Sequence, residues 1–250
     1  RRKGAKFSLR ARRGVVLAAS ATHTPNILRR SGLGSRALGE NFRSHPGAGV
    51  IGIYDRPVHM ERGATQGMAS MAFRDDPGLK LETLALPLEL LAARLGGAGS
   101  QLTERLEEMK NAAFWIAAVR AENSVGRVKP GPFGSAAVHY TLCAEDVRKL
   151  RIVLHTVAKM HFAVGATSVL PGVYGLPYRL GRDEIGVLLD APLDPRCYTG
   201  ILSHLFGGAV MGADPDRSVC DPLGAVRGVE GLFVADAAAL PSTLGVNPQH

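Results

Sequence analysis

The stretch "GVVLAASATHTPNILRRSG", residues 14 to 32, joins a short apolar run to a helical pattern. Its first part, 14 to 20, is continuously apolar and ends in small residues, as is typical of a buried parallel strand. In its second part, Thr24 suits the N-cap, Pro25 the first helical position and Gly32 the stop. A strand that runs directly into a helix predicts an α/β arrangement whose turn presents backbone N–H groups to an anionic or carbonyl-bearing ligand.

A second apolar run, "GLFVADAAALP" at 231 to 241, predicts another buried strand with Asp236 at its carboxyl end. In doubly wound sheets, ligands bind at that end of the strands. Between these two runs the pattern changes. From residue 45, "HPGAGVIGIYDRPVHM" and the segments after it predict strands of an antiparallel sheet.

Helical periodicity appears twice in the middle of the chain, over 101 to 122 and over 144 to 164. In the second segment the apolar positions repeat every three or four residues and predict one buried face, formed by Val147, Leu150, Leu154, Val157 and His161. The fold class is therefore α/β plus α+β, a doubly wound domain interrupted by an antiparallel-sheet domain with helices. The expected boundaries are 1–45 and 197–250 for the doubly wound domain and 46–196 for the inserted one.

Composition and charge exclude several classes of protein. The 250 residues are 46% hydrophobic, as in globular domains, yet no window is apolar enough to predict a membrane segment. The net charge of +8 is concentrated near the start, where "KFSLRAR" at 6 to 12 alternates polar and apolar residues like a half-exposed strand. Phe7 is the only aromatic residue among the first thirteen, too few to form a stacking surface for bases, which argues against a nucleic-acid partner.

Three widely separated cysteines, Cys143, Cys197 and Cys220, form no CxxC pair and indicate a reducing, cytoplasmic location without a zinc site. Phosphate-binding motifs are also missing. "GLGSRA" at 32 to 37 has the letters of a dinucleotide loop, but it follows a helix instead of a strand. The sequence contains no GxSxG, HExxH or P-loop motif, which disfavours hydrolases, zincins and NTPases.

Two polar residues near the end of the chain are candidates for chemistry. His204, in "SHLFGGAVMGADP" at 203 to 215, precedes two glycines that permit close approach of a backbone or a ligand. Histidine can act as a general base near neutrality, but a hydrogen-bonded core histidine is the alternative. Asn247, in "GVNPQH" at 245 to 250, is either an N-cap before Pro248 or a hydrogen-bond donor to a ligand.

The other histidines carry weaker signals. His23, in the turn after the first strand, is a rival base, although a turn hydrogen bond is favoured there. His45, before a proline, is interpreted as structural. His155 and His161 are six residues apart and point about 120° away from each other on a helix, so they do not form a metal pair.

Taken together, four segments resemble the glucose/methanol/choline (GMC) oxidoreductases. They are "VVLAASATHTPNILRRSGL", "LGENFRSHPG", "SHLFGGAVMGADPDRSVCDPLGAVRGVEGLFVADAAALP" and "GVNPQH", in the order that the family has. The resemblance implies the later portion of such an enzyme, without the GxGxxG phosphate loop of the family's first half. Ser20 stands where the family usually has glycine, and Ala238 where it usually has serine.

The resemblance implies an FAD-dependent oxidation of an alcohol, with His204 as the base and Asn247 as the residue that hydrogen-bonds the substrate oxygen. It also implies cofactor-binding positions at Ala19, Ser20, Ala21, Asp236, Ala237 and Pro248. The "GVNPQH" segment and the histidine in "ATHTP" are closest to members that act on long-chain or hydrophobic alcohols. A truncated, non-catalytic interaction module without flavin is the alternative, since the phosphate loop is missing.

Overall fold

The computed structural model describes residues 8 to 248. The chain divides into two compact units. The first unit contains the chain up to Arg43, Gly126–Tyr140 and Leu205–Ser242, and the second contains Ser44–Val125, Thr141–His204 and the chain from Thr243. These units differ from the expected boundaries, because a hairpin from the middle belongs to the first unit, whereas His204 and Asn247 both belong to the second.

The first unit is built on a parallel strand pair, β1 (Val15–Leu17) and β10 (Leu232–Val234). The predicted strands are therefore present, and Val16 lies opposite Phe233. The prediction that both are buried is wrong, because Val16 is 62% exposed and Phe233 39%. Within residues 8 to 248 these two strands are the whole sheet, so no third strand or covering layer of the unit shields their outer side chains.

Helix α1 (Ser20–Arg30) begins directly after β1, and a hairpin of β6 (Arg127–Pro130) and β7 (Ala136–His139) completes the first unit. The predicted start of α1 at Thr24 and Pro25 is wrong. The helix starts earlier because the Asp236 carboxylate accepts the Ser20 N–H at 2.9 Å and so replaces a local cap. The predicted stop is confirmed, since Gly32 follows α1 in a left-handed conformation, with φ of +90°.

The alternating basic segment does not form the predicted strand. Lys6 and Phe7 lie outside the described residues, and residues 8 to 14 are irregular and exposed. Leu9, for example, is 85% exposed. Alternation alone does not produce a strand where no neighbouring strand among the described residues accepts its hydrogen bonds.

The second unit contains the antiparallel sheet that the sequence predicts. Its strands follow the order β3–β4–β5–β2–β8, and β9 also pairs with β2. Their bounds are β2 Arg43–Ile53, β3 Ala69–Ser70, β4 Leu79–Leu84, β5 Ala112–Val119, β8 Ser168–Leu170 and β9 Gly200–Phe206. The short helices α2 (Leu88–Ala92) and α3 (Ser100–Glu108) precede β5.

The helix predicted over 101 to 122 is wrong in its second half. Helix α3 ends at Glu108, and "AAFWIAAV" forms the inner strand β5, hydrogen-bonded to β4 on one side and β2 on the other. Phe114, Trp115 and Ile116 favour a strand because aromatic and β-branched side chains pack well on a pleated surface. The apolar run is equally compatible with a buried helix, and tertiary pairing decides between them.

Helix α4 (Ala144–Ala163) covers one face of this sheet, close to its predicted span. All five residues of the predicted inward face are buried. The four apolar ones pack with Ala48, Val50, Leu79 and Leu81 of the strands in the largest apolar core of the described residues. No helix in the described part of the chain has the length and apolar content needed to cross a bilayer. The three cysteines are free thiols.

Candidate active site

The candidate site lies on the face of the antiparallel sheet opposite helix α4. Side chains alternate between the two faces of a strand. Because Ala48 and Val50 of β2 face α4, His45, Gly47 and Gly49 face the other way. Lys80 and Glu82 of β4 share this second face, because they align through β5 with Gly47 and Gly49. The sheet at Gly49 is covered by the Ile116 and Phe114 side chains, which a Cβ at that position would overlap.

His204, on β9, meets His45 on this face. The two Nδ1 atoms are 3.4 Å apart, and the rings contact edge to face at 86°. The Nε2 atom of His45 accepts the backbone N–H of Gly245 at 3.0 Å. His45 therefore links His204 to the segment that carries Asn247, although its position before a proline indicated only a structural role. Within residues 8 to 248, the Nε2 atom of His204 has no hydrogen-bond partner.

Asn247 is held by a buried ion pair on β4. Lys80 Nζ donates to Asn247 Oδ1 at 2.7 Å and to Glu82 Oε1 at 2.6 Å. The side chains of Lys80 and Glu82 are 14% and 6% exposed. A helix capped by Asn247 would begin at Pro248, the last described residue, so the N-cap alternative stays a prediction. No local pattern singles out Lys80, because its partner Asn247 is 167 residues away in the sequence.

The electrostatic environment keeps both histidines neutral at physiological pH. Burial lowers the pKa of His45 to about 4, and repulsion from His204, Lys80 and Arg120 acts in the same direction. Burial also lowers the pKa of His204; the negative charge of Glu82 opposes that effect and the positive charge of Lys80 adds to it. A neutral imidazole keeps one nitrogen lone pair, which is the requirement for accepting a proton.

A cavity of about 490 Å³ opens on the same face of the second unit. Its walls include Gly49, Ile51 and Phe114 of the sheet, and its other walls are mainly the segments 94–96, 170–178 and 196–199. The lining is largely apolar and aromatic. The cavity begins at Gly49, four residues along β2 from His45, which corresponds to about 13 Å of extended chain.

The cofactor positions predicted after β1 and β10 lie in the first unit. Ser20 adopts a positive φ of +83°, the conformation that favours glycine at this turn. Asp236 accepts hydrogen bonds from Ser20 N, Thr24 Oγ1 and Ala238 N at 2.9, 2.6 and 2.7 Å. Its carboxylate is therefore occupied within the unit, and contact with a ligand is left to the backbone.

The exposure of the remaining predicted positions differs. Ala19, Ala237 and Pro248 are half-buried, whereas Ala21 is 1% exposed and packs in the interior with Phe42. Pro248 belongs to the second unit. Gly207 makes the backbone approach predicted for it, since a Cβ there would clash with the Asn41 carbonyl oxygen.

The turn after β1 tests whether FAD suits this chain. Small residues and left-handed Ser20 leave its backbone accessible, as a flavin ribityl or phosphate group requires. "GLGSRA" lies in the loop after α1, so it does not supply a phosphate loop. The residues present suit one part of the cofactor. The GxGxxG string "GAGVIG" at 47 to 52 lies within strand β2 instead of in a turn between a strand and a helix, so it provides no loop for the pyrophosphate.

The remaining histidines take other positions. His23 is exposed and pairs with Thr22 Oγ1 at 2.9 Å, as expected for a turn. His161 is fully buried, where it stacks on Trp115 and hydrogen-bonds Tyr54 and Val50. Within residues 8 to 248, no three histidine, cysteine or acidic side chains cluster as a metal site would need.

Comparison with known proteins identifies the family. The model of the C-terminal GMC oxidoreductase domain matches residues 120–250, and that of the N-terminal domain matches residues 1–47. The chain belongs to the GMC oxidoreductases, a family of FAD-dependent enzymes. The predicted family and cofactor are thereby confirmed, and residues 1–47 belong to the family's N-terminal domain.

Individual relatives agree with this assignment. An uncharacterised GMC-type oxidoreductase of Mycobacterium tuberculosis is 35% identical over 260 residues, which cover 99% of this chain and 41% of the relative. A long-chain-alcohol oxidase of Arabidopsis thaliana is 27% identical, with 94% of this chain and 33% of the relative covered. The chain thus spans less than half the length of these relatives.

The fold also matches solved structures. The crystal structure of pyridoxine 4-oxidase from "Mesorbium loti" has a TM-score of 0.67 at 19% identity, covering 93% of this chain and 48% of that one. The predicted combination of α/β and α+β elements is confirmed by this likeness together with the mixed helices and antiparallel sheet described above.

Proposed function

We propose that this chain forms the later portion of an FAD-dependent enzyme that oxidises the CH–OH group of an alcohol to a carbonyl. The observation that carries the proposal is the polar cluster on the sheet face opposite helix α4. His204, whose Nε2 atom has no hydrogen-bond partner among residues 8 to 248, is linked through His45 to the segment of Asn247. A base and a hydrogen-bond donor are the two groups that alcohol oxidation needs from the protein.

In this reaction His204 takes the hydroxyl proton while the carbon loses a hydride, so that the alcohol becomes an aldehyde or a ketone. FAD, when bound, supplies the hydride acceptor. The Nε2 atom of His204 is the nitrogen available for the proton. Neutral His204 is ready to accept it, because burial keeps the ring uncharged before the reaction.

The base role imposes a condition on His45. If Nε2 of His204 accepts a proton, the hydrogen of the neutral ring must be on Nδ1, facing Nδ1 of His45. The Gly245 N–H donates to Nε2 of His45 and thereby favours a hydrogen on Nδ1 of that ring as well. The bond between Gly245 and His45 is therefore expected to weaken when the base-competent form of His204 is present.

Asn247 donates a hydrogen bond to the substrate oxygen. Its Oδ1 atom is engaged by Lys80, which leaves the two hydrogens of Nδ2 for another acceptor. A fixed donor stabilises the negative charge that develops on the oxygen as its proton leaves.

The apolar cavity supports an extended, hydrophobic alcohol as the substrate. Its opening lies about 13 Å of extended strand from His45, and the intervening face carries glycine at 47 and 49. A long apolar chain with its end in the cavity would contact the apolar Ile116 and Phe114 side chains, which cover the sheet at Gly49. A compact alcohol would leave the cavity unfilled and gain less from apolar burial.

The exposed strands of the first unit support an assembled enzyme over an independent one. Val16 and Phe233 lie on a parallel pair, and parallel sheets are normally covered on both faces. Further strands are needed to enclose a flavin there. The alternative is an interaction module without flavin. It predicts that no protein containing this chain binds FAD.

Flavin reduction tests the proposal. The protein encoded by the longest reading frame that contains the 250 residues is purified. Its absorption spectrum is recorded before and after anaerobic addition of alcohols of increasing chain length. Bleaching of bound flavin that becomes faster with chain length supports both the reaction and the cavity assignment. A protein without flavin absorption, or flavin that no alcohol bleaches, contradicts the proposed function.

A further inference from the structure

Lys80 is a buried cation without a role in the proton and hydride transfers above. Its ammonium group has three hydrogens and no lone pair, so every neighbour it bonds must be an acceptor. The two acceptors are the Glu82 carboxylate at 2.6 Å and the Asn247 amide oxygen at 2.7 Å. The contact with Lys80 consequently requires that Oδ1 of Asn247 faces the ammonium group. Nδ2 in that position would place its own hydrogens against those of Lys80.

We infer that Lys80 is a positioning residue that orients the Asn247 amide for hydrogen bonding to the substrate oxygen. The inference rests on the proposed function and adds a residue to the same site. Lys80 binds Oδ1, so Nδ2 is turned away from β4. Within residues 8 to 248, the Nδ2 group has no hydrogen-bond acceptor of its own.

Glu82 is the counterion that makes this arrangement stable. A lysine ammonium that is largely removed from water needs an anionic partner, and Glu82, itself 7% exposed, is within hydrogen-bond distance. Both side chains rise from β4 on one face, two residues apart, so the strand sets the direction of the ammonium group. A residue on a strand therefore sets the orientation of the Asn247 side chain, although Asn247 itself lies outside any strand or helix.

Two anchors hold the segment of Asn247 on the sheet. His45 binds the backbone N–H of Gly245, and Lys80 binds the side chain two residues later. The first contact fixes the position of the segment and the second fixes the amide plane. Loss of Lys80 is therefore expected to leave the segment in place while the amide rotates, which separates a positioning role from a structural one.

The test uses variants that avoid an unpaired buried charge. Lys80→Met alone would leave the buried Glu82 carboxylate without its counterion and destabilise the protein. The double substitution Lys80→Met/Glu82→Gln therefore removes both charges and keeps similar side-chain shapes. Glu82→Gln alone retains the lysine, and Lys80→Arg retains a donor to Asn247. Each is also combined with Asn247→Ala in a double-mutant cycle.

The first readout is spectroscopic and does not depend on turnover. The chain has five asparagines, so selective ¹⁵N labelling gives few side-chain amide signals, and Asn247→Ala identifies the one that matters. Lys80→Met/Glu82→Gln is expected to shift the Asn247 amide signal toward that of a free amide, whereas Lys80→Arg retains most of its displacement. An Asn247 signal unchanged by loss of Lys80 would overturn the inference, even in an enzyme that oxidises alcohols.

The second readout is kinetic. In the flavin-loaded enzyme, Lys80→Met/Glu82→Gln is expected to lower kcat by about 10- to 100-fold with little change in KM, since misplacement of a catalytic group costs on that order. In the Asn247→Ala background the same change is expected to lower kcat less than twofold. An equal fall in both backgrounds would show that Lys80 acts independently of Asn247. If no alcohol reduces the flavin, the proposed function fails, and the amide signal alone decides the Lys80 contact.

Discussion

The two units of the chain bury their sheets to different extents. In the second unit, helix α4 covers one face of an antiparallel sheet, and Val50 at the centre of that face is fully buried. In the first unit, β1 and β10 form a pair in which Val16 and Phe233 are largely exposed. Both sheets have strongly apolar strands. In the second unit, the described elements bury the apolar side chains of the sheet. In the first unit they do not, although its strands have the apolar composition of strands that are flanked and covered by further elements.

Matched valine substitutions test this difference in burial between the two units. Val50→Ala removes a side chain from the packed core and is expected to cost about 2 kcal/mol of unfolding free energy. Val16→Ala removes the same atoms from a residue that is 62% exposed, so it is expected to change stability by less than about 0.5 kcal/mol. Urea denaturation of the 250-residue chain measures both. Equal losses would mean that β1 is packed as tightly as β2.

Acid pH should destabilise the second unit through its buried histidines. Burial lowers the pKa of His161 to about 4, below its ordinary value of 6.5. The unfolded chain therefore binds more protons than the folded one between those values, and stability decreases as the pH falls from 6.5 toward 4. The loss from His161 is about 1.5 kcal/mol between pH 6.5 and 5.

Glutamine variants on helix α4 assign this pH dependence. His161→Gln should reduce the acid-induced loss of stability by about half, because His45 has a similarly lowered pKa and remains. His155→Gln, on the outward face of the same helix, should leave most of the loss in place. Denaturation curves at pH 6.5 and 5 measure the slopes, and identical slopes for the wild type and His161→Gln would contradict the burial argument.

In the first unit, Asp236 should have the largest local effect. Asp236→Ala removes the acceptor of the Ser20 N–H and the Thr24 hydroxyl and is expected to cost about 1 kcal/mol, as loss of an N-cap does. Asp216→Ala, at an exposed position, is the matched control and should be nearly neutral. Hydrogen exchange of the α1 amides measures the change, and unaltered protection in Asp236→Ala would show that another group caps the helix.

Local patterns predicted the parts of the fold that local forces decide. Helix α4 has a 3.6-residue repeat and an inner face that is apolar except for Asp146 and His161, so its span and most of its buried residues follow from the sequence. The run that became β5 has no such repeat, and only its pairing with β2 and β4 decides its conformation. The start of α1 depends on Asp236, 216 residues away, which no local pattern can reveal.

The candidate site was predicted in the same uneven way. His204 and Asn247 were identified from short motifs. Their partners His45 and Lys80 were not, because a lone histidine before a proline and a lysine in an alternating strand have common structural explanations. The contacts that give these two residues a role span 159 and 167 residues of sequence. The face of the sheet that collects these side chains exists only in the folded second unit.

The most direct test of the account is the rate of flavin reduction by an alcohol in His204→Gln, measured anaerobically in the flavin-loaded enzyme beside the wild type and His155→Gln. If His204 is the base, its substitution should retain the flavin spectrum and slow reduction by roughly 10² to 10⁴, the usual contribution of general base catalysis. His155→Gln should reduce at the wild-type rate. Reduction of His204→Gln at the wild-type rate would contradict the assignment of this histidine to the chemistry.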